Sequence, residues 1–144
     1  MPVGNIRTIA ISQVENKTGK TIIQESSVAN ALIAAFNRDA TVKVADKELS
    51  EAQLFMTLTG YHQQAQSFSQ NDVGDSFRLV LSAQVIVKRA SSGEVLLDKT
   101  IQGEATYQDV SDQPEMERIM LNTAVKKLCT DIVRTVIESG WEGK

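Results

Sequence analysis

The chain has 144 residues, of which 42% are hydrophobic and 23% carry a charge. This length and composition are typical of one globular domain with a buried core, and they exclude disordered, collagen-like and coiled-coil chains. The formal net charge of −3 argues against a nucleic-acid partner, because such proteins need a clustered excess of Lys and Arg. No apolar run reaches the about 18 residues that a membrane-spanning helix needs. We therefore expect a single domain over residues 1–144.

The sequence contains one cysteine, Cys129, and one histidine, His62. A lone cysteine cannot form an internal disulfide or a cysteine-rich metal site. With a single histidine, most zinc sites are excluded, and any Ser-His-Asp arrangement would have to use His62. We expect neither a metal nor a cofactor, and an enzyme is the less favoured class of function.

The first half of the chain predicts three strands and a helix. Residues 6–14 are apolar and β-branched, which is typical of a central strand. In residues 21–38 apolar side chains recur at helical spacing, starting at Ile22. Residues 41–45 predict a short edge strand. Residues 54–61 alternate with a period of two, which predicts a strand with Tyr61 on the face opposite the leucines.

The second half begins with a predicted hairpin. Residues 63–75 are polar and predict a long loop or a hairpin tip. In residues 77–87 every second side chain, from Phe77 to Val87, is apolar, and the residues between them are Arg78, Val80, Ser82, Gln84 and Ile86. Residues 95–107 return after a short turn, with Val95 in phase with Leu97. Two alternating runs around a Ser/Gly turn predict a β-hairpin.

The last predicted element is a helix. Asp112 and Glu115 have the spacing of a capping box, Pro114 fits the first turn, and Ser139-Gly140 ends the helix. Its apolar stripe consists of Leu121, Val125, Leu128, Ile132 and Val136, with Cys129 beside it.

The order strand, helix, four strands, helix favours an α+β fold. Because each helix has one apolar stripe, we predict a two-layer sandwich, with both helices packed on one face of a four- or five-stranded mixed sheet. The other face would carry polar side chains among scattered apolar ones.

Few residues outside the predicted core point to chemistry. His62 stands without a second ligand and is interpreted as a surface or structural side chain. The sequence Gly19-Lys20-Thr21 lacks the preceding glycine of a phosphate loop, and residues 69–72 lack the ligand spacing of a calcium loop. Arg78 and Lys88 remain, on the sheet face that no helix would cover. Long cationic side chains on such a face can lie over apolar groups and reach anions.

The chain resembles the lipopolysaccharide-assembly lipoproteins of the outer membrane, the LptE-like family. The resemblance is carried by the order and spacing of short segments between residues 6 and 141. These are residues 6–11 (IRTIAI), 14–18 (VENKT), 31–33 (ALI), 36–39 (FNRD), 42–46 (VKVAD), 58–61 (LTGY), 77–79 (FRL), 92–96 (SGEVL), 103–107 (GEATY), 131–133 (DIV) and 140–141 (GW).

This resemblance implies two helices on one side of a four- or five-stranded mixed sheet, and a function without catalysis. Members are anchored by an N-terminal lipidated cysteine to the periplasmic side of the outer membrane. They plug a large β-barrel translocon (LptD-like), assist its assembly, and can bind lipopolysaccharide during its delivery to the outer leaflet. Lipopolysaccharide and the barrel are therefore the implied partners.

The chain departs from the family at its start. It opens Met1-Pro2-Val3-Gly4 without the lipidated cysteine. We expect that the signal peptide and the anchor cysteine have been removed from this sequence, and that the full reading frame carries an apolar leader ending in a cysteine upstream of Val3.

The family's lipid-contacting positions are carried over as a region, residues 69–78, together with nearby cations. Arg78 and Lys88 are the expected contacts to phosphates or acidic sugars, through charge-assisted hydrogen bonds. Val80 and Ile86 would supply apolar surface on the same face. On this hypothesis Arg78→Glu weakens lipopolysaccharide binding and leaves the melting temperature within about two degrees.

A second resemblance keeps an alternative open. The sequence from Ala10-Ile11-Ser12 to residues 15–20 (ENKTGK) is similar to the first strand and turn of other envelope proteins. These are the amino-terminal domain of the Tol-system propeller protein, curli-secretion lipoproteins and activators of penicillin-binding proteins. Each would make the chain a protein–protein interaction module. The long hairpin followed by one terminal helix favours the lipopolysaccharide family.

Overall fold

The computed structural model describes residues 6–65, 76–108 and 113–138. Within these residues the elements follow in the predicted order. They are β1 (Thr8–Asn16), α1 (Glu25–Asp39), β2 (Lys43–Val44), β3 (Ala52–Ala65), β4 (Ser76–Arg89), β5 (Val95–Gln108) and α2 (Gln113–Glu138).

The strands form one mixed sheet in the order β2-β1-β3-β4-β5. β1 runs parallel to both of its neighbours, β2 and β3, which confirms its central position. β3, β4 and β5 form an antiparallel meander. α1 makes the crossover between the parallel strands β1 and β2, as parallel pairing requires.

Both helices cover the same face of the sheet, which confirms the predicted two-layer α+β fold. α1 packs on β1 and β2, α2 packs on β5 and β4, and the two helices contact each other. The buried stripe of α2 is the predicted one, and the buried residues of α1 are Val28, Leu32, Ala35 and Phe36. They meet alternate residues of β4, namely Leu79, Leu81, Ala83, Val85 and Val87, which are fully buried.

α2 approaches β5 closely at Gly103. A Cβ atom at this position would lie 2.6 Å from both the carbonyl oxygen of Ala124 and the amide nitrogen of Leu128. Real Cβ atoms essentially never come within 3.0 Å of a neighbouring atom. Glycine is therefore required here so that the helix backbone can rest on the strand.

The prediction that the first helix begins at residue 21 was wrong. The Asn16 side chain forms hydrogen bonds with the backbone carbonyls of residues 20 and 23, ahead of the helix. Asn16 donates from Nδ2 to the carbonyl oxygens of Lys20 (3.0 Å) and Ile23 (3.1 Å). These carbonyls are then satisfied outside a helix, and α1 starts only at Glu25. Ile22, expected on the apolar stripe, is 38% exposed, and Ile23 is buried in its place.

Two β-bulges overturn two predicted side-chain orientations. The register of β3 on β4 shifts between Leu58 and Gly60, which brings Tyr61 opposite the buried Leu81. Tyr61 therefore lies on the helix side, not on the opposite face. A second shift, opposite Val87 and Lys88, turns Val95 to the other face from Leu97, and Val95 is 53% exposed.

The extended strands also differ in length from the prediction. β3 runs from Ala52 to Ala65, longer than the predicted 54–61, and takes the first residues of the expected loop into the sheet. Residues 66–75, Asp112 of the predicted capping box and the predicted stop at Ser139-Gly140 lie outside the described residues.

Candidate functional site

We call the side of the sheet away from the helices the open face. On β3, β4 and β5 the side chains on this face alternate with the buried ones, as the register requires. They are Gln53, Phe55, Thr57, His62 and Gln64 from β3, Arg78, Val80, Ser82, Gln84, Ile86 and Lys88 from β4, and Val95, Asp98, Thr100, Gln102, Glu104 and Thr106 from β5. The face is polar, with a minority of apolar groups at Phe55, Val80, Ile86 and Val95.

Arg78 lies on the open face with its charge already paired. Its Nε donates to Oε1 of Glu104 across the strands at 2.6 Å, and a terminal guanidinium nitrogen contacts the same oxygen. The two side chains are 38% and 51% exposed. An exposed pair of this kind contributes at most about 1 kcal/mol to stability, so an anionic ligand can compete for the arginine.

Lys88 lies on the same face in a different setting. Its Nζ sits 5.2 Å from the ring centroid of Phe55, a cation–π contact worth about 0.5–1 kcal/mol at a partly exposed site. No carboxylate among the described residues forms an ion pair with Lys88. Lys88 is thus a cation that contacts an aromatic ring and has no ion-pair partner among the described residues.

The structure does not bring Arg78 and Lys88 together. They are ten positions apart on β4, which is roughly 33 Å along the strand at about 3.3 Å per residue. Val80 follows next on the open face after Arg78, and Ile86 immediately precedes Lys88 on that face. The open face therefore has two separate cationic spots, each beside apolar surface.

A polar and aromatic cluster on the helix side ties α2 to the sheet. The Tyr61 hydroxyl donates to the Glu117 carboxylate of α2, and Gln63 Nε2 donates to the Tyr107 hydroxyl at 2.8 Å. Tyr107 stacks on Phe77 with a centroid distance of 5.3 Å. Burial, aided by the bond to Glu117, raises the pKa of Tyr61 well above its ordinary value. The sequence did not predict this cluster, because the β3 bulge that turns Tyr61 toward the helices cannot be recognised from the alternation of apolar residues in β3.

An apolar groove of about 660 Å³ runs between the amino-terminal halves of α1 and α2. Ile22, Val28, Leu121, Val125 and Lys126 are among its lining residues. The exposure of Ile22 is explained by its place in this groove. The sequence indicated an apolar position there but not that it would line an opening between helices.

The remaining reactive side chains do not form a catalytic centre in the described residues. Cys129 is buried, and burial raises the pKa of its thiol to about 12, so it is no nucleophile at neutral pH. His62 is exposed on the open face opposite Val80. Among the described residues no three His, Cys, Asp or Glu side chains gather as a metal site would require. Neither described helix combines the length and apolarity needed to cross a membrane.

Solved structures share this fold at low sequence identity. A minor lipoprotein from Acinetobacter baumannii aligns with a TM-score of 0.54 at 12% identity, covering 92% of this chain and 91% of that one. A hypothetical protein from Chlamydia trachomatis gives 0.65 at 8% identity, covering 92% and 96%. A lipoprotein from Neisseria meningitidis gives 0.52 at 14%, covering 92% and 99%. A comparison with curated proteins finds no match.

Two helices on one face of a curled mixed sheet, with the other face open, define a small α+β module of the kind that these solved lipoproteins share. The family is shown by a match of the amino-acid sequence to a family model. Residues 6–136 match the lipopolysaccharide-assembly family LptE, and the chain belongs to that family. It is thereby a cell-envelope protein of lipopolysaccharide assembly, in a family that works without catalysis.

Proposed function

We propose that the chain is the plug and assembly partner of an outer-membrane β-barrel lipopolysaccharide translocon. The observation that carries the proposal is the family match, which spans the whole sheet and α2 up to residue 136. In the full-length protein an N-terminal lipid anchor holds the domain at the periplasmic face of the outer membrane. The domain itself catalyses no reaction.

We further propose that the open face contacts lipopolysaccharide at the two cationic spots. Lipopolysaccharide is an amphiphile with an anionic head, so a cation beside an apolar side chain matches its chemistry. Arg78 with Val80 supplies one such pair, and Lys88 with Ile86 the other. Because the overall charge of −3 opposes long-range attraction of an anion, the contact depends on these local groups.

The ion pair between Arg78 and Glu104 provides variants with opposite expected effects. Arg78→Gln removes a cation and is expected to weaken lipopolysaccharide binding several-fold. Glu104→Gln frees Arg78 from its partner and is expected to strengthen binding. Both substitutions break the same ion pair, so any loss of stability is matched between them. Binding of labelled lipopolysaccharide to the purified domain measures the difference, and equal affinities would remove Arg78 from the proposal.

Co-purification distinguishes the barrel partner from the alternative. A C-terminally tagged full-length protein is expressed in its native host, extracted from the outer membrane in detergent and analysed for bound proteins. The proposal predicts a large β-barrel in stoichiometric amount. Recovery of a peptidoglycan synthase or a Tol-type complex without a barrel would assign the chain to the envelope interaction modules.

A further inference from the structure

The outer edge of β5 is the longest unpaired strand edge in the described part of the chain. β5 is the last strand of the sheet and has 14 residues. Arg89 donates its N–H to the carbonyl oxygen of Glu94 at 2.8 Å. Arg89 and every second residue before it on β4 therefore direct their backbone groups toward β5. Because backbone groups alternate in direction along an antiparallel strand, five residues of β5 direct their N–H and C=O outward. They are Asp98, Thr100, Gln102, Glu104 and Thr106.

Three polar side chains of β5 that could protect this edge bond across β4 instead, and Lys99 is the exposed cation that remains on β5. Glu104 accepts from Arg78 at 2.6 Å and Asp98 accepts from Gln84 at 3.1 Å, both across β4. Gln102 likewise donates to Ser82 at 3.2 Å. Charged side chains and prolines are the usual protection of an edge strand. Here the carboxylates are engaged over the sheet, and β5 contains no proline.

A second copy of this chain does not fit the edge as an antiparallel strand. Two strands paired edge to edge lie about 4.8 Å apart. The backbone of α2 rests directly on Gly103, in the middle of β5. Antiparallel pairing of β5 with β5 would keep both α2 helices on the same side of the sheet and bring them far closer than the about 8–10 Å that packed helices need. The edge can therefore accept only a strand that carries no helix on this side.

The side chains beside the edge indicate which residues a partner strand should carry. Lys99 is exposed, lies opposite the buried Val85 and so projects on the helix side of β5. It forms no ion pair with any described residue. The next side chain on that side is Ile101, which is partly buried against the core. A sixth strand that carries a carboxylate opposite Lys99 and an apolar side chain opposite Ile101 would complement both.

We propose that the outer edge of β5 binds an extended segment of a different polypeptide as a sixth strand of the sheet. Backbone hydrogen bonds to the five outward residues provide the affinity, and Lys99 and Ile101 select the side chains. The inference goes beyond the proposed function, because it holds whichever envelope protein supplies the segment.

Photo-crosslinking in the native host tests this interaction in the full-length chain. A photo-reactive residue is placed at Thr100, on the edge, and in a matched variant at Thr57, on the same face of the interior strand β3. The proposal predicts an adduct from position 100 with one contiguous segment of another polypeptide, at least ten-fold above that from position 57. No adduct, an adduct with a second copy of the chain, or equal adducts from both positions would overturn it.

A proline at the edge tests the backbone hydrogen bonds. Gln102→Pro removes an outward N–H, whereas Gln102→Ala loses the same side chain and keeps that N–H. Gln102→Pro is expected to lower the Thr100 adduct at least ten-fold, and Gln102→Ala to leave it within two-fold. Equal adducts in these variants would overturn the proposal. If Gln102→Pro does not accumulate, Lys99→Glu replaces it with an expected loss of at least three-fold, and an unchanged adduct overturns the proposal.

The identity of the crosslinked protein separates this inference from the proposed function. An adduct with the β-barrel supports both. An adduct with another envelope protein supports the edge interaction and counts against the barrel as the partner.

Discussion

Replacing Gly103 with alanine perturbs the close approach of α2 to β5. The new Cβ would lie 2.6 Å from two backbone atoms of α2 and 2.7 Å from Cβ of Leu128, against 3.4 Å for the onset of ordinary contact. Backbone atoms cannot rotate away, so α2 must move by about 0.8 Å. A gap of that size forfeits roughly a quarter to a half of the dispersion energy of each contact it opens. Ala124 and Leu128, both fully buried, lie at this contact.

We expect Gly103→Ala to lower the free energy of unfolding by about 2 kcal/mol, within the range of overpacked cores. Gly60→Ala is the matched control, because its Cβ would meet Ser82 at an ordinary 3.6 Å. This control should be neutral or slightly stabilising, since alanine restricts the unfolded chain. Urea unfolding followed by circular dichroism at 222 nm measures both. A Gly103→Ala protein within about 0.5 kcal/mol of the parent would refute the account of this contact.

Three further predictions concern other parts of the fold. Asn16→Ala should lower the free energy of unfolding by about 2 kcal/mol in the same assay, because Asn16 donates two hydrogen bonds and accepts two from Thr18; an unchanged value would contradict its role in delaying the start of α1. Ser12→Ala should be neutral or stabilising by up to about 1 kcal/mol, because the buried Ser12 Oγ has no hydrogen-bond partner among the described residues; a clear loss in thermal unfolding would reveal one. Stability should fall between about pH 9 and pH 12, because the unfolded Cys129 thiol loses its proton near pH 9.0 while the folded thiol keeps its own to about pH 12. The slope from this group is up to about 1.4 kcal/mol per pH unit, and Cys129→Ala should remove that part of the slope; identical slopes in urea titrations would show that the thiol does not contribute.

The order of elements and most of the core followed from periodicity in the sequence. In residues 77–87 every second side chain is apolar and buried or half-buried, and the stripe of α2 keeps helical spacing over four turns. Both elements could therefore be predicted from the repeat of apolar residues. Residues such as Leu81 and Leu128 could be assigned because their surroundings repeat along the element.

Local features without a periodic signal could not be predicted. The bulge beside Gly60 reverses the face of Tyr61, and the bulge opposite Val87 reverses that of Val95. The start of α1 depends on which carbonyls the Asn16 side chain reaches in three dimensions. Gly103 is one of 8 glycines, and only the contact with α2 distinguishes it.

The placement of the candidate residues on the sheet was predicted in part. Arg78 and Lys88 lie on the open face with Val80 and Ile86, as the alternation of β4 indicated. Their separation follows from their spacing of ten positions on one continuous strand and could have been worked out from the sequence. The neutralisation of Arg78 by Glu104 could not, because it depends on the register between β4 and β5.

Depletion of the protein in its native host tests the central claim most directly. The full-length gene is placed under a repressible promoter, and lipopolysaccharide at the cell surface is measured against lipopolysaccharide retained inside the envelope. Membership of the lipopolysaccharide-assembly family predicts that surface lipopolysaccharide falls and retained lipopolysaccharide rises as the protein disappears, with recovery when the full-length chain is restored. An unchanged distribution after complete depletion would contradict the account.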